Sequence, residues 1–305
     1  MNLQVSAIWM TLMFNVVTMT GCGNPSGTQS KTKEILDITV SIVPQKYFVR
    51  KIGGDRVKIN VMVKPGADFH NYEPKPEQLQ ALSHAEAYIT IGIPFERAWI
   101  NKISGANTRL QIIDSAKGIK RLPMTDHNHQ EHHHDKPKSE NATETLDPHI
   151  WLSPTLAKIQ AKNIYQGLTR LDPSYQAKYL ENLEKFLQEI EQLDSQIKEN
   201  FSQVKKRKFI VFHPAWGYFA KEYNLTQIPV EVGGQGPSPA ELGKLIKEAK
   251  EEKIKVIFAQ PELNTNPATI IAKEINGEVL LISPLEPKWS ENLLKVSETI
   301  SNVLD

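Results

Sequence analysis

The sequence holds a single cysteine, Cys22, so no intramolecular disulfide is possible. An excess of one charge is missing too: 36 Lys and Arg stand against 35 Asp and Glu, a net charge of +1. No basic cluster is interleaved with aromatics, which argues against a nucleic-acid partner. The one basic run, Lys205-Lys206-Arg207-Lys208, reads as the end of a long helix complementing its dipole. There is no nucleotide-binding glycine loop and no G-x-S-x-G elbow. Long apolar runs are lacking as well. The stretch Val5 to Met19 is too short, and too interrupted by Asn15 and threonines, for a comfortable membrane span. What remains is ordinary globular composition, 40% hydrophobic and 23% charged over 305 residues, enough for one large domain or two lobes.

Residues 1–30 carry no charged side chain, and their apolar stretch looks like a secretory h-region. It ends at Met19-Thr20-Gly21-Cys22, which resembles the lipobox of bacterial lipoproteins. The resemblance implies a signal peptide over 1–21, acylation of Cys22 and a lipidated tether over 22–34. The chain would then be exported, to the periplasm or the outer face of the cytoplasmic membrane. An ordinary signal peptide or a buried helix is the alternative.

Beyond the tether, strands and helices alternate. Strands are expected at Leu36–Val43, Val57–Val63, Ala87–Ile91 and Leu110–Ile113, with helices at Pro44–Ile52 and Pro76–Ser83. After a long polar loop, 121–146, Pro154 opens a helix to Leu171 and Asp172-Pro173 starts a longer one. In the longer helix Leu180, Leu183, Leu187, Ile190, Leu193, Ile197 and Phe201 make one apolar stripe. The second part repeats the order. Strands are expected at Phe209–Phe212, Thr226–Val232, Val256–Ala259 and Val279–Ile282, with helices from Pro214, from Ser238-Pro239 and over Glu291–Val303. The reading is an α/β fold of two similar lobes, each a parallel-type sheet flanked by helices, joined by one long rigid helix. The expected bounds are 35–171 for the first lobe with its loop, 172–204 for the connecting helix and 205–305 for the second lobe.

Histidine is the conspicuous component. Five of the nine, His127, His129, His132, His133 and His134, fall within the polar loop. So much imidazole in one place suggests a transition metal, and polar histidine tracts need no packed core to bind one. Of the others, His70, His149 and His213 lie on loops that could leave the carboxyl ends of strands, where α/β sheets bind ligands. Three neutral imidazoles and one further donor would make a tetrahedral zinc site. Any one of them taken singly reads better as a hydrogen-bonded interior residue. His84, at a helix end, reads as structural or exposed, and Trp151 and Trp216 as packing around a site.

Three local stretches sharpen this: Pro65-Gly66-Ala67-Asp68-Phe69-His70-Asn71-Tyr72-Glu73-Pro74, Asp147-Pro148-His149-Ile150-Trp151-Leu152-Ser153-Pro154 and Phe212-His213-Pro214-Ala215-Trp216-Gly217-Tyr218. They resemble, in order, three motifs of the ZnuA-type zinc-binding proteins of bacterial ABC importers, within the TroA-like group of metal receptors. The resemblance covers essentially the whole chain after the signal. It implies that His70, His149 and His213 ligate Zn²⁺ in a cleft between two lobes, with the His-rich loop as an accessory. It also implies a membrane permease and ATPase as partners, a lipid anchor, a monomer and no catalysis. Where many relatives carry a C-terminal acidic ligand, Ser283 stands. A water is therefore expected in the fourth position, with Glu231, Glu262 and Glu286 as carboxylate candidates. Nitrogen donors without a firm carboxylate favour zinc over manganese. A zinc hydrolase, a manganese receptor and an adhesin or metal buffer of the same fold stay open as alternatives.

Overall fold

The computed structural model describes residues 35–69, 72–124, 146–231 and 235–305. The signal and tether expectations, Cys22, His70 and the five clustered histidines lie outside those residues. Two four-stranded parallel sheets organise the rest. The first contains β1 (Leu36–Val40), β2 (Val57–Val61), β3 (Ala87–Thr90) and β4 (Gln111–Asp114), in the order β2-β1-β3-β4. The second contains β5 (Lys208–Val211), β6 (Thr226–Pro229), β7 (Val256–Ala259) and β8 (Glu278–Leu281), in the corresponding order β6-β5-β7-β8. Register runs Ile38 to Ile59 and Ala87 in the first sheet, and Ile210 to Ile228 and Ile257 in the second.

Inner strands β3 (AYIT) and β7 (VIFA) are buried at every position, as continuous apolar runs covered on both faces should be. Edge strands β4 and β8 leave Ile112 and Leu281 exposed. The helices are α1 (Val43–Gly53), α2 (Pro76–His84), α3 (Pro94–Ala106), α4 (Pro154–Leu171), α5 (Gln176–Asn200), α6 (Gly217–Glu222), α7 (Pro239–Glu251), α8 (Asn266–Glu274) and α9 (Trp289–Leu304). Proline near the start fixes φ where the N–H would be orphaned anyway, and it does so in α2, α4 and α7. Ser153 caps α4, and Ser238 with Glu241 forms a capping box on α7. No helix of the described residues is long and apolar enough to cross a membrane.

Helix α5 packs on α1, α4 and α9, and so touches elements of both halves. Phe186 meets Phe48 of α1 and Trp289 of α9, ring centroids 5.5 and 6.3 Å away. One hydrophobic core accordingly runs from the first sheet into the second half, and a smaller one fills the far face of the second sheet.

Several expectations need correction. The buried stripe of α5 is Tyr179, Leu183, Phe186, Ile190, Leu193 and Ile197, whereas Leu180 is 41% exposed. Leu183, Ile190, Leu193, Ile197 and Phe201 are buried as expected, while Tyr179 and Phe186 take inward positions ahead of Leu180 and the half-buried Leu187. Asp172 does not cap the long helix. It receives Arg56 Nε at 2.6 Å, and residues 173–175 make a separate 3-10 turn before α5. That helix ends at Asn200, so Lys205, Lys206 and Arg207 follow it as loop, and Lys208 pairs with Glu248 and Glu252. The helix expected from Pro214 starts only at Gly217, and strands β1, β2 and β6 stop short of their expected ends. Helices α3 and α8 were not expected from the sequence.

Candidate metal centre

His213 lies two residues past β5, where the ladder continues: Phe212 N donates to Phe258 O at 2.7 Å and Glu231 N to Phe212 O at 2.9 Å. The second of these bonds sets Glu231 beside His213, and Glu231 Oε2 lies 2.7 Å from His213 Nδ1. His149 is reached differently. The chain returns from the polar loop at Leu146, bridged to Pro123, and Asp147 N donates to Leu122 O at 2.9 Å. Asp147 Oδ1 then accepts from His149 N at 2.9 Å, an Asx turn, and lies 2.7 Å from His149 Nδ1.

The two imidazoles meet with ring centroids 5.4 Å apart and planes at 68°. Both are buried. Each Nδ1 faces a carboxylate, which can only accept, so in the neutral rings Nδ1 holds the proton and Nε2 the lone pair. A carboxylate behind the far nitrogen is how metal-ligating histidines are usually fixed in tautomer and orientation. Burial pushes the His149 proton affinity below that of free imidazole; Asp147 opposes this, and the His213 ring and Arg121 add to it. The neutral form is the one a metal needs. Aromatic rings wall the pair: Phe69 and Trp151 stand 5.6 and 5.3 Å from the His149 ring.

The segment carrying His149 is held chiefly by the second half. Tyr218 OH donates to Asp147 O at 2.9 Å and accepts from Leu122 N at 3.0 Å. Glu222 of α6 accepts from Ser153 Oγ and from Thr155 N at the start of α4. Trp151 Nε1 donates to Pro284 O, and Trp289 Nε1 to Trp151 O, both at 2.7 Å. These bonds join the two imidazoles to one frame.

The other candidates are dispersed. Glu231 is taken up behind His213, Ser283 Oγ donates to Glu262 Oε1, and Glu286 is exposed. Burial raises the Glu262 carboxyl above its ordinary range. Among the described residues no three or more His, Cys, Asp or Glu side chains are arranged so that together they could hold a metal ion. His84 is exposed at the end of α2. Asp147 as the partner of His149 was missed, although the Asp-x-His spacing is the signal that could have found it.

Paired, carboxylate-backed imidazoles, one past the carboxyl end of β5 and one at the entry to α4, between two parallel sheets sharing a long helix, define a metal-binding α/β protein. The family model described as "Zinc-uptake complex component A periplasmic" matches residues 38–303, and the chain belongs to this ZnuA family. It is 28% identical over 271 residues to the high-affinity zinc uptake system protein ZnuA of Bacillus subtilis, covering 87% of this chain and 84% of that protein. A crystal structure of a zinc-bound ZnuA deletion mutant superposes with a TM-score of 0.80 at 46% identity, covering 88% of this chain and 98% of the other. The zinc-binding protein AdcA of Streptococcus pyogenes is 25% identical over 260 residues, 82% of this chain, which spans only 50% of AdcA's length.

Proposed function

We propose that this protein is the zinc-binding receptor of an ABC importer, capturing extracytoplasmic Zn²⁺ and passing it to a membrane permease driven by an ATPase. The His149–His213 pair carries the reading, because both rings are backed at Nδ1 by carboxylates at 2.7 Å. Zinc is the cargo, and His70 is the third imidazole; its neighbour Phe69 packs on the His149 ring. A water completes the coordination. Glu231 serves behind His213, and Ser283 and Glu286 are left as minor candidates. An all-nitrogen protein set favours zinc over manganese.

The relatives named above are uptake and binding proteins, which supports a transport role over catalysis. Export to the periplasmic side follows from the family description. Acylation of Cys22, a monomeric state and an accessory role for His127, His129, His132, His133 and His134 are parts of the proposal.

The test is competitive titration of metal-free protein with zinc and manganese, for wild type and for His70→Ala, His149→Ala and His213→Ala. Tight zinc binding by wild type and its loss in each variant is the expected result. Wild type that takes up no zinc, or variants that still bind tightly, would sink the reading.

A further inference from the structure

Gly92 follows the carboxyl end of β3 with a left-handed φ of +84°, and a Cβ placed there would collide with the Arg121 guanidinium. The missing side chain is a seat for that guanidinium. Arg121 Nη1 donates to Gly92 O at 3.0 Å, and Nη2 donates to Ile91 O. The amides of the same two residues are held from the other side by buried Glu96, from Ile91 N at 2.8 Å and from Gly92 N at 2.5 Å. Glu96 also receives Ser41 Oγ, so the 91–92 turn is braced on both faces.

The other side of the clamp leads to the metal centre. Leu122, next in chain to Arg121, donates its N–H to Tyr218 OH and accepts Asp147 N–H through its carbonyl. Pro123 bridges Leu146. Asp147 holds His149 through both its ring and its backbone. From the guanidinium to the imidazole there are one covalent step and two hydrogen-bonded ones.

We infer that Arg121, seated against Gly92, is a positioning residue for metal binding: it fixes the Leu122 peptide on which Asp147, and through Asp147 His149, is held. The inference rests on the zinc-receptor reading and adds to it a residue that touches no ligand. A cation near a cation site would by itself repel the metal. Positioning and simple charge therefore predict opposite signs: removal of Arg121 weakens binding if it positions, and tightens binding if its charge dominates.

The experiment compares wild type, Arg121→Ala, Gly92→Ala and Gly118→Ala by zinc competition and by the visible spectrum of the Co²⁺-loaded protein. Gly118 is the matched control, since its φ of +82° imposes the same backbone strain while an added Cβ there meets nothing within 4 Å. Arg121→Ala and Gly92→Ala should each raise the zinc Kd about tenfold, the low end for groups behind a metal ligand, and alter the Co²⁺ bands. Gly118→Ala should match wild type in both. Unchanged or tighter zinc binding with an unaltered spectrum in folded Arg121→Ala overturns the inference. So does an equal loss in Gly92→Ala and Gly118→Ala, which also serves should Arg121→Ala fail to fold. If wild type binds no zinc, it is the receptor reading that fails.

Discussion

The two halves carry the same sheet twice and fill its carboxyl end differently. Met62 N and Val63 N donate to Val40 O and Ser41 O, just as Val230 N and Glu231 N donate to Val211 O and Phe212 O. The residues at the matching positions then diverge. Ile42 and Val63 of the first half are buried and apolar, whereas His213 and Glu231 of the second form a pair at 2.7 Å. The first half puts its buried polarity elsewhere. Gln45 accepts from Ser41 N and Ile42 N, and Tyr88 OH shares a 2.6 Å hydrogen bond with Ser41 Oγ, which donates to Glu96. That network braces the turn after β3, while His213 of the second half faces the His149 ring. Parallel topology offers a ligand-binding end in each half. Side chains decide what each end presents.

The largest effect comes from breaking the equivalence of His213 and Ile42. His213→Ala should lower zinc affinity by more than about a hundredfold, beyond the usual cost of an outer partner. Ile42→Ala should leave zinc affinity intact and cost about 2–5 kcal/mol of stability through the cavity it opens. Zinc competition and urea unfolding on both variants separate the two losses.

Glu231→Gln and Asp147→Asn preserve shape and remove the charge behind each ring. Each should weaken zinc binding about 10–100-fold, read by the same competition. Unchanged affinity in both would mean that the carboxylates serve packing alone.

The Ser41–Tyr88–Glu96 network gives a prediction of stability against pH. Burial pushes the Glu96 carboxyl from 4.5 to about 7. Between those values the unfolded chain has lost its proton while the folded one keeps it, so this group's contribution falls as pH rises from 4.5 to about 7 and is level above. The loss is on the order of 3 kcal/mol. Urea unfolding of wild type and Glu96→Gln at pH values below and above that window should show the difference narrowing or vanishing in the variant. An identical pH dependence in the two proteins would contradict a raised carboxyl.

The smallest effect belongs to the helix that both halves share. Leu180→Ala should shift stability by no more than about 0.5 kcal/mol, because Leu180 faces outward. A loss in the range of a core truncation would put the stripe back where periodicity alone had drawn it.

Much of the fold could be read from local signals. An apolar run marked β7 to the residue, and a proline start gave α4 from Pro154 to Leu171. Helices α3 and α8 went unread, though each opens on proline near its N-terminus. The α5 stripe departs from its expected course only at Tyr179 and Phe186, because alternative apolar faces, through Leu180 and through Tyr179, fit a helical period almost equally. Only packing on α1, α4 and α9 selects between them.

Local signals alone set the alternation of strands and helices, the twofold repeat and the His149 and His213 motifs, because period, capping and turn chemistry act over a few residues. Tertiary structure decided which groups meet. It put the His149 ring 5.4 Å from that of His213, set Glu231 behind His213, and seated Arg121 in the space Gly92 leaves. Those contacts join residues far apart in the chain, so they exist only once two sheets and a shared helix have fixed the distances between them.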